Sequence, residues 1–198
     1  PIGTYANAEY GVSIPHEYFN DGELTVADVD LDPSDAESWA TVLVGTTGRG
    51  EGRTIYAVDV TDPASPTVLW ERSAGDGYGN DGYIGRMVGK PLTVRTSSGW
   101  KTLIGNGYNS EPASDTDGKA ALLVIDLATG QISPMVVPDN GTVDANGDYQ
   151  NGLAAPASFD LDSTPDGIQV VAYAGDLNGR VWNCDLTDRS STPEELFH

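Results

Sequence analysis

Three stretches of this chain pass through the same order of short strands, and this repetition constrains the fold more than any other feature of the sequence. Each stretch has an opening strand, then an apolar strand that ends in glycine, then a strand that ends in aspartate. The glycines are Gly45, Gly105 and Gly175, and the aspartates are Asp59, Asp126 and Asp185. Self-similarity at such a period, with three or four strands in each unit, is typical of the blades of a β-propeller.

We therefore predict an all-β chain that forms a partial β-propeller of about three blades. The blade-like units span residues 16–75, 83–137 and 150–188, with flanking segments at 1–15 and 189–198. Closed propellers use about four to eight blades, so three units do not close a ring. The chain also opens on Pro1 rather than Met. We expect all 198 residues to be a fragment of a single propeller domain in a longer protein.

One helix start is predicted near the end of the chain, after Ser191. Thr192 has the side chain of an N-cap residue, and Pro193 stands in the first turn. Elsewhere the segments between glycine, asparagine and aspartate clusters are short and β-branched, which indicates strands.

Residues 124–130 (VIDLATG) resemble the start of the repeat in quinoprotein dehydrogenase propellers. That repeat continues to a tryptophan four residues past the glycine, which docks between blades, but Pro134 stands at this position here. The resemblance supports blades of the quinoprotein dehydrogenase type and does not support a quinone cofactor. We interpret Trp39, Trp70, Trp100 and Trp182 as packing residues between blades.

Charge excludes several classes of function. The chain has 30 acidic and 10 basic residues and a formal net charge of −20. No basic stripe is present that could displace phosphate counterions, so we expect no nucleic-acid partner. No apolar run reaches about 18 residues, so we expect no membrane-spanning segment. The acid excess has two interpretations: a solvated surface, or aspartates in oxygen-rich loops that hold a hard cation.

Catalytic chemistry has few candidates in this sequence. His16 and His198 have no serine or cysteine in a recognisable nucleophile setting, and no phosphate-binding glycine motif is present. Cys184 is the single cysteine, so no internal disulfide can form, and its apolar neighbours predict a buried thiol. We predict that the chain is not an enzyme, with no catalytic and no cofactor-binding residues.

Three acidic loops have aspartates spaced two apart, which is a spacing that calcium loops use. They are residues 28–35 (DVDLDPSD), 144–148 (DANGD) and 160–168 (DLDSTPDGI). None of them has an acid at position twelve of the loop, where an EF-hand carries its bidentate ligand. The residues alone leave two alternatives for each loop, a metal site or an acidic turn.

Seven motifs occur in an order that closely resembles the C-terminal domain of the PilC/PilY family of type IV pilus tip-associated adhesins and biogenesis factors. They are residues 18–22 (YFNDG), 25–28 (TVAD), 39–45 (WATVLVG), 55–63 (IYAVDVTDP), 105–110 (GNGYNS), 151–156 (NGLAAP) and 173–179 (YAGDLNG). The resemblance covers roughly residues 16–188. Within these motifs, Tyr108 and Asn109 are the best candidates for recognition residues.

This resemblance implies a modified β-propeller at the C-terminus of a large secreted protein. It implies a location at the extracellular pilus tip, after export through the periplasm, and a role in surface adhesion and in the balance of pilus extension and retraction. The implied partners are pilus subunits (minor pilins), other parts of the same large protein, and a host or abiotic surface ligand.

The resemblance also implies a calcium (Ca²⁺) loop whose metal ligands are Asp160, Asp162 and Asp166. In this chain Thr164 and Pro165 are inserted before Asp166, and Val170 replaces the last acid of the family loop. Two other functions stay open as alternatives: a structural scaffold in a cell-surface assembly, and a degenerate quinoprotein-like oxidoreductase.

Overall fold

The protein is described by a computed structural model for residues 2–32, 34–35, 38–107, 118–161, 165–188 and 190–198. These residues form three four-stranded antiparallel sheets, and the strands of each sheet follow one another in chain order. A short helix, α1 (Ile2–Tyr5), precedes them, and a single 3₁₀ turn (Asp81–Tyr83) lies between the first two sheets. The all-β prediction is confirmed.

Each sheet is one blade. Blade 1 contains β1 (Leu24–Asp30), β2 (Trp39–Thr46), β3 (Thr54–Asp59) and β4 (Thr67–Ser73). Blade 2 contains β5 (Leu92–Thr96), β6 (Gly99–Gly105), β7 (Ala121–Asp126) and β8 (Ile132–Val136). Blade 3 contains β9 (Ala157–Phe159), β10 (Val171–Gly175), β11 (Val181–Asp185) and β12 (Glu194–Phe197). Four antiparallel strands per unit is the architecture of a propeller blade.

Two hydrophobic cores lie between the blades, and β7 contributes to both. Leu123 and Ile125 belong to the core that joins blade 2 to blade 1. Leu122 and Val124 belong to the core that joins blade 2 to blade 3. Because successive side chains of a strand point to opposite faces, a sheet buried on both faces needs apolar residues at every position. This explains the continuous apolar run in β7.

The helix predicted after Ser191 is wrong, because residues 194–197 form strand β12. Glu194 pairs with Asn183 and Phe197 pairs with Val181, both in β11. The side chain of Pro193 is buried. Backbone hydrogen bonds to an existing sheet edge thus outweigh the local helix signals of this segment.

The aspartates that end the third strand of each blade have one shared role. Each side chain accepts a hydrogen bond from a threonine N–H in the following turn. The pairs are Thr61 to Asp59 (2.9 Å), Thr129 to Asp126 (3.0 Å) and Thr187 to Asp185 (2.8 Å). Hydrogen bonds from the threonines lower the pKa of Asp59 and Asp185. The repeated aspartates therefore close the hairpin between the third and fourth strands.

Three of the four tryptophans pack between blades, as predicted. Trp70 and Trp100 belong to the first core, and Trp182 belongs to the second. Trp39 departs from this expectation, because 59% of its surface is exposed. Cys184 is buried, as predicted, and burial raises the pKa of its thiol to about 12. Among the residues that the structure describes, no helix is both long and apolar enough to cross a membrane.

Candidate functional site

An apolar cavity of about 320 Å³ lies where the loops of blades 2 and 3 meet. We call it the motif cavity, because three of the motifs found in the sequence supply its walls. Its lining includes Val88, Gly105, Leu153, Ala154, Gly175 and Leu177. Leu177 is 52% exposed and Val88 is 36% exposed, so both present apolar surface to solvent at the rim of the cavity.

Asn106 fixes one wall of the motif cavity. Its side chain is fully buried, and its Oδ1 accepts hydrogen bonds from the backbone N–H of Ala121 (3.1 Å) and of Leu153 (3.0 Å). Its Nδ2 donates to the carbonyl oxygen of Lys119 at 2.8 Å. One amide side chain therefore joins β7 of blade 2 to the connection that leads into blade 3.

Asn151 fixes the opposite wall. Its Nδ2 donates to Oδ2 of Asp176 (3.1 Å) and to Oδ1 of Asn140 (3.2 Å). Its Oδ1 accepts from the backbone N–H of Gly152 (2.9 Å) and of Leu177 (3.2 Å). Buried polar groups are stable when their hydrogen bonds are made, and a complete network of this kind holds loop backbone rigidly.

The carboxylate of Asp176 is fully used inside the protein. Its Oδ2 also accepts from Nε1 of Trp182 at 3.0 Å, and its Oδ1 accepts from the backbone N–H of Asn178 (3.0 Å) and of Arg180 (2.9 Å). Both carboxylate oxygens of the one acidic residue that lines the motif cavity therefore already accept hydrogen bonds from the protein. The chemistry of the cavity favours an apolar occupant.

The sequence indicated Asn106, Asn151 and Asp176 only as members of motifs, and it gave no role to Asn140. Asn140 stands in a Pro-Asp-Asn-Gly turn, which predicts a surface turn. In the structure it is buried, accepts from the N–H of Ala120 (2.8 Å) and donates to the carbonyl of Val137 (2.9 Å). No local pattern distinguishes this asparagine from a solvated turn residue.

The predicted calcium loop lies at the end of β9, on blade 3. Oδ2 of Asp160 accepts from the backbone N–H of Gly167 (3.0 Å), and Oδ1 of Asp166 accepts from that of Ile168 (2.9 Å). Asp162 lies outside the described residues. Oδ1 of Asp160 is buried and accepts no hydrogen bond in the described part of the chain.

A buried carboxylate oxygen without a donor is costly, and a bound cation is one way to satisfy it. The orphaned oxygen of Asp160 therefore fits the expected calcium. Across the described ranges, however, no group of three or more His, Cys, Asp or Glu residues is positioned to hold a metal. The three-carboxylate site stays a prediction.

In the other two acidic loops the aspartates accept hydrogen bonds from the protein itself. Asp28 accepts from Oγ1 of Thr41 (2.7 Å), its cross-strand partner on β2, whereas Asp32 caps its own turn and accepts from the N–H of Ser34 (3.0 Å). Asp144 accepts from the N–H groups of Asn146 (2.8 Å) and Asp148 (3.0 Å), which lower its pKa. These contacts favour the acidic-turn alternative for both loops.

The surroundings of His16 and Cys184 are those of packing residues. His16 packs against the rings of Tyr10 and Tyr18. The raised pKa of Cys184 keeps its thiol protonated at neutral pH, and a protonated thiol is a poor nucleophile. Tyr108 and Asn109, the expected recognition residues, lie outside the described residues.

The comparisons with known proteins agree with the fold and with the motifs. The family model described as the PilY1 beta-propeller domain matches residues 4–196. A "Type IV pilus biogenesis factor PilY1 homolog" of Xylella fastidiosa (strain Temecula1) is 38% identical over 197 residues, which cover 95% of this chain and 12% of the relative. The "Type IV pilus biogenesis factor PilY1" of Pseudomonas aeruginosa (strain UCBPP-PA14) is 39% identical over 172 residues, which cover 86% of this chain and 13% of the relative.

A solved structure gives the same result. The crystal structure of the Pseudomonas aeruginosa PilY1 C-terminal domain is similar with a TM-score of 0.66 at 38% identity, over 84% of this chain and 30% of that one. This chain thus spans 12–13% of the length of the two relatives and 30% of the chain of that solved structure. The resemblance that the seven motifs predicted is confirmed, and the chain belongs to the PilY1 β-propeller domain family.

Proposed function

We propose that this chain is a non-enzymatic module of a type IV pilus biogenesis factor, located at the extracellular pilus tip after export through the periplasm. The observation that carries the proposal is the similarity over residues 4–196 to a family whose relatives are named for pilus biogenesis. The settings of Cys184 and His16, which provide no activated nucleophile, support a binding role over catalysis.

The partners in this proposal are pilus subunits, the minor pilins, together with other parts of the same large protein. The motif cavity is the contact surface for the subunits. Its walls are held by Asn106 and Asn151, its one carboxylate is hydrogen-bonded within the protein, and its rim exposes Leu177 and Val88. A rigid apolar cavity with an apolar rim suits the insertion of an apolar side chain from a pilus subunit.

Adhesion to a host or abiotic surface is the second part of the proposed function, and calcium modulates it. The adhesive role rests on the resemblance of the seven motifs to pilus tip-associated adhesins, and the orphaned oxygen of Asp160 supports the calcium. Calcium bound by Asp160, Asp162 and Asp166 would link the carboxylates of the segment between β9 and β10 through one ion.

The test removes this region from the longer protein in a piliated cell and scores two properties separately. Pilus number per cell is counted by electron microscopy, and surface attachment is measured per pilus. Loss of pili supports the biogenesis role, and loss of attachment with normal pili supports the adhesive role. Normal pili with normal attachment would contradict both roles and leave a structural scaffold as the better account.

A further inference from the structure

A second cleft lies at the other end of blade 2 from the motif cavity. Strand β6 begins at this cleft with Gly99 and Trp100 and ends at the motif cavity with Gly105. The cleft has a volume of about 260 Å³, and all three blades contribute to it. We call it the tryptophan cleft, lined by Asp30, Trp39, Arg95, Ser97, Trp100 and Ile168.

Two indole rings form walls of the tryptophan cleft. The ring centroids of Trp39 and Trp100 are 6.4 Å apart, and the ring planes meet at 74°. Trp39 is exposed over 59% of its surface, whereas the other three tryptophans pack in the cores between blades. The two rings thus meet edge to face, and the face of an indole attracts cations; several aromatic rings around one cation form the cages in which proteins recognise quaternary ammonium groups.

One charged residue stands beside each tryptophan. Asp30 pairs directly with Trp39 across β1 and β2, and Arg95 pairs directly with Trp100 across β5 and β6. Side chains at directly opposed positions of an antiparallel pair lie on the same face within reach of each other. The cleft therefore carries one negative and one positive group, each next to an aromatic wall.

Neither charge is neutralised by a protein ion pair in the described part of the chain. Asp30 accepts a hydrogen bond from the hydroxyl of Ser38. Arg95 makes no side-chain hydrogen bond or ion pair there, although the chain has 30 acids for 10 bases. Other basic residues do have acidic partners: Arg49 pairs with Asp21, Lys101 with Asp126, and Arg180 with Asp139.

We propose that the tryptophan cleft binds a zwitterionic phosphocholine headgroup. The trimethylammonium group lies against Trp39 and Trp100 with Asp30 as its counter-charge, and the phosphate accepts hydrogen bonds from the guanidinium of Arg95. A simple anion would meet Asp30 and the net charge of −20, and a simple cation would leave Arg95 unpaired. A ligand with both charges satisfies both residues. This assignment rests on the proposed adhesive function, for which it names a ligand class.

The experiment measures binding to the complete pilus protein by titration calorimetry with free phosphocholine, choline and inorganic phosphate. Phosphocholine is expected to bind more tightly than choline, and phosphate is expected not to bind. Arg95→Gln should weaken phosphocholine about tenfold or more, since a charge-assisted hydrogen bond is lost, and leave choline unchanged. Asp30→Asn and Trp39→Leu should weaken both ligands. Lys90→Gln, at an exposed lysine that does not line the cleft, is the matched control.

Two further arms identify the source of the headgroup. Binding to phosphatidylcholine vesicles that free phosphocholine displaces, with none to phosphatidylglycerol vesicles, supports a lipid surface. Binding to a phosphocholine–albumin conjugate without vesicle binding supports a glycoconjugate. Absence of phosphocholine binding in all arms, or equal affinity in wild type and Arg95→Gln, overturns the proposal. If phosphocholine does not bind but removal of the whole region still abolishes surface attachment, only the ligand assignment is wrong and the proposed adhesive function stands.

Discussion

The indole Nε1 of Trp70 donates a hydrogen bond of 2.8 Å to the carbonyl oxygen of Leu127. This bond joins β4 of blade 1 to the turn between β7 and β8 of blade 2. The ring of Trp70 also lies on Gly130, where a Cβ atom would stand 2.7 Å from the ring. In the quinoprotein repeat a tryptophan stands four residues after this glycine and docks between blades. Here Pro134 occupies that position, and Trp70 of the preceding blade lies against Gly130 instead.

Replacing Trp70 should strongly destabilise the contact between blades 1 and 2. We expect Trp70→Ala to lower the free energy of unfolding by about 3–5 kcal/mol, because a large buried ring is lost. Gly130→Ala should also destabilise, since Gly130 has φ = 71° and its new methyl group would meet the ring. Denaturant unfolding of the complete propeller domain measures both. Additive losses in the double variant would contradict the direct contact.

Asn106→Ala should destabilise the domain by about 2–4 kcal/mol, because it leaves the buried N–H groups of Ala121 and Leu153 without acceptors. Asn20→Ala, at an exposed asparagine, is the matched control and should change stability by less than about 0.5 kcal/mol. Thermal unfolding of the two variants gives the comparison. Equal melting temperatures would show that the network around Asn106 does not hold the motif cavity.

The ion pair between Lys101 and Asp126 should make stability depend on pH. The nitrogen-to-oxygen distance is 2.6 Å, and the Lys101 side chain is 4% exposed. Burial alone would raise the pKa of Asp126, but hydrogen bonds from Lys101 and Thr129 outweigh it and lower the pKa. A lowered folded-state pKa contributes stability above the unfolded-state value of about 3.9. That stability is lost as pH falls through the folded-state pKa.

Asp126→Asn removes this contribution and leaves the buried Lys101 charge without its partner. At neutral pH we expect a loss of about 3–5 kcal/mol. The unfolding free energy of the wild type should fall more steeply than that of the variant as the pH drops below the unfolded-state pKa of about 3.9 and through the lowered folded-state pKa of Asp126. Parallel pH profiles would rule out this role for Asp126.

Calcium removal should lower the melting temperature of the wild-type domain. At a free calcium concentration of about one hundred times Kd, the bound ion would contribute about 2.7 kcal/mol. Asp160→Asn should abolish the response to a chelator, because Asp160 is a predicted ligand, whereas Asp144→Asn should retain it. A metal analysis without calcium, together with a chelator response of zero, would dismiss the site.

Sequence patterns were sufficient for the parts of the fold that local chemistry determines. The double-sided apolar run of β7 and the aspartate turns after β3, β7 and β11 follow from strand alternation and from side-chain capping of turns. The tail was mispredicted because β12 exists only through its pairing with β11. The same limit applies to Asn140, since its burial depends on loops that meet across two blades.

The tryptophan cleft shows the same limit, because its residues come together only through contacts between strands and blades. Its key residues are Asp30, Trp39 and Arg95. Each residue looks like an ordinary strand-end residue in the sequence, and the sequence pattern predicts that Trp39 packs between blades. Only the register of β1 with β2 and of β5 with β6 places one charge beside each tryptophan. Sites built by the meeting of blades therefore carry little signal in any single motif.

The number of pili on cells whose complete biogenesis factor carries Leu177→Arg shows directly whether the motif cavity contacts the pilus subunits. Leu177 lies at the rim of the motif cavity and is 52% exposed, so the change places a charge at the proposed contact and leaves the core intact. Val12→Arg, at a residue that is 83% exposed, is the control. We predict that Leu177→Arg sharply reduces pilus number, with normal protein level, and that Val12→Arg does not. Equal, wild-type pilus numbers in both strains would contradict the proposed contact between the motif cavity and the pilus subunits.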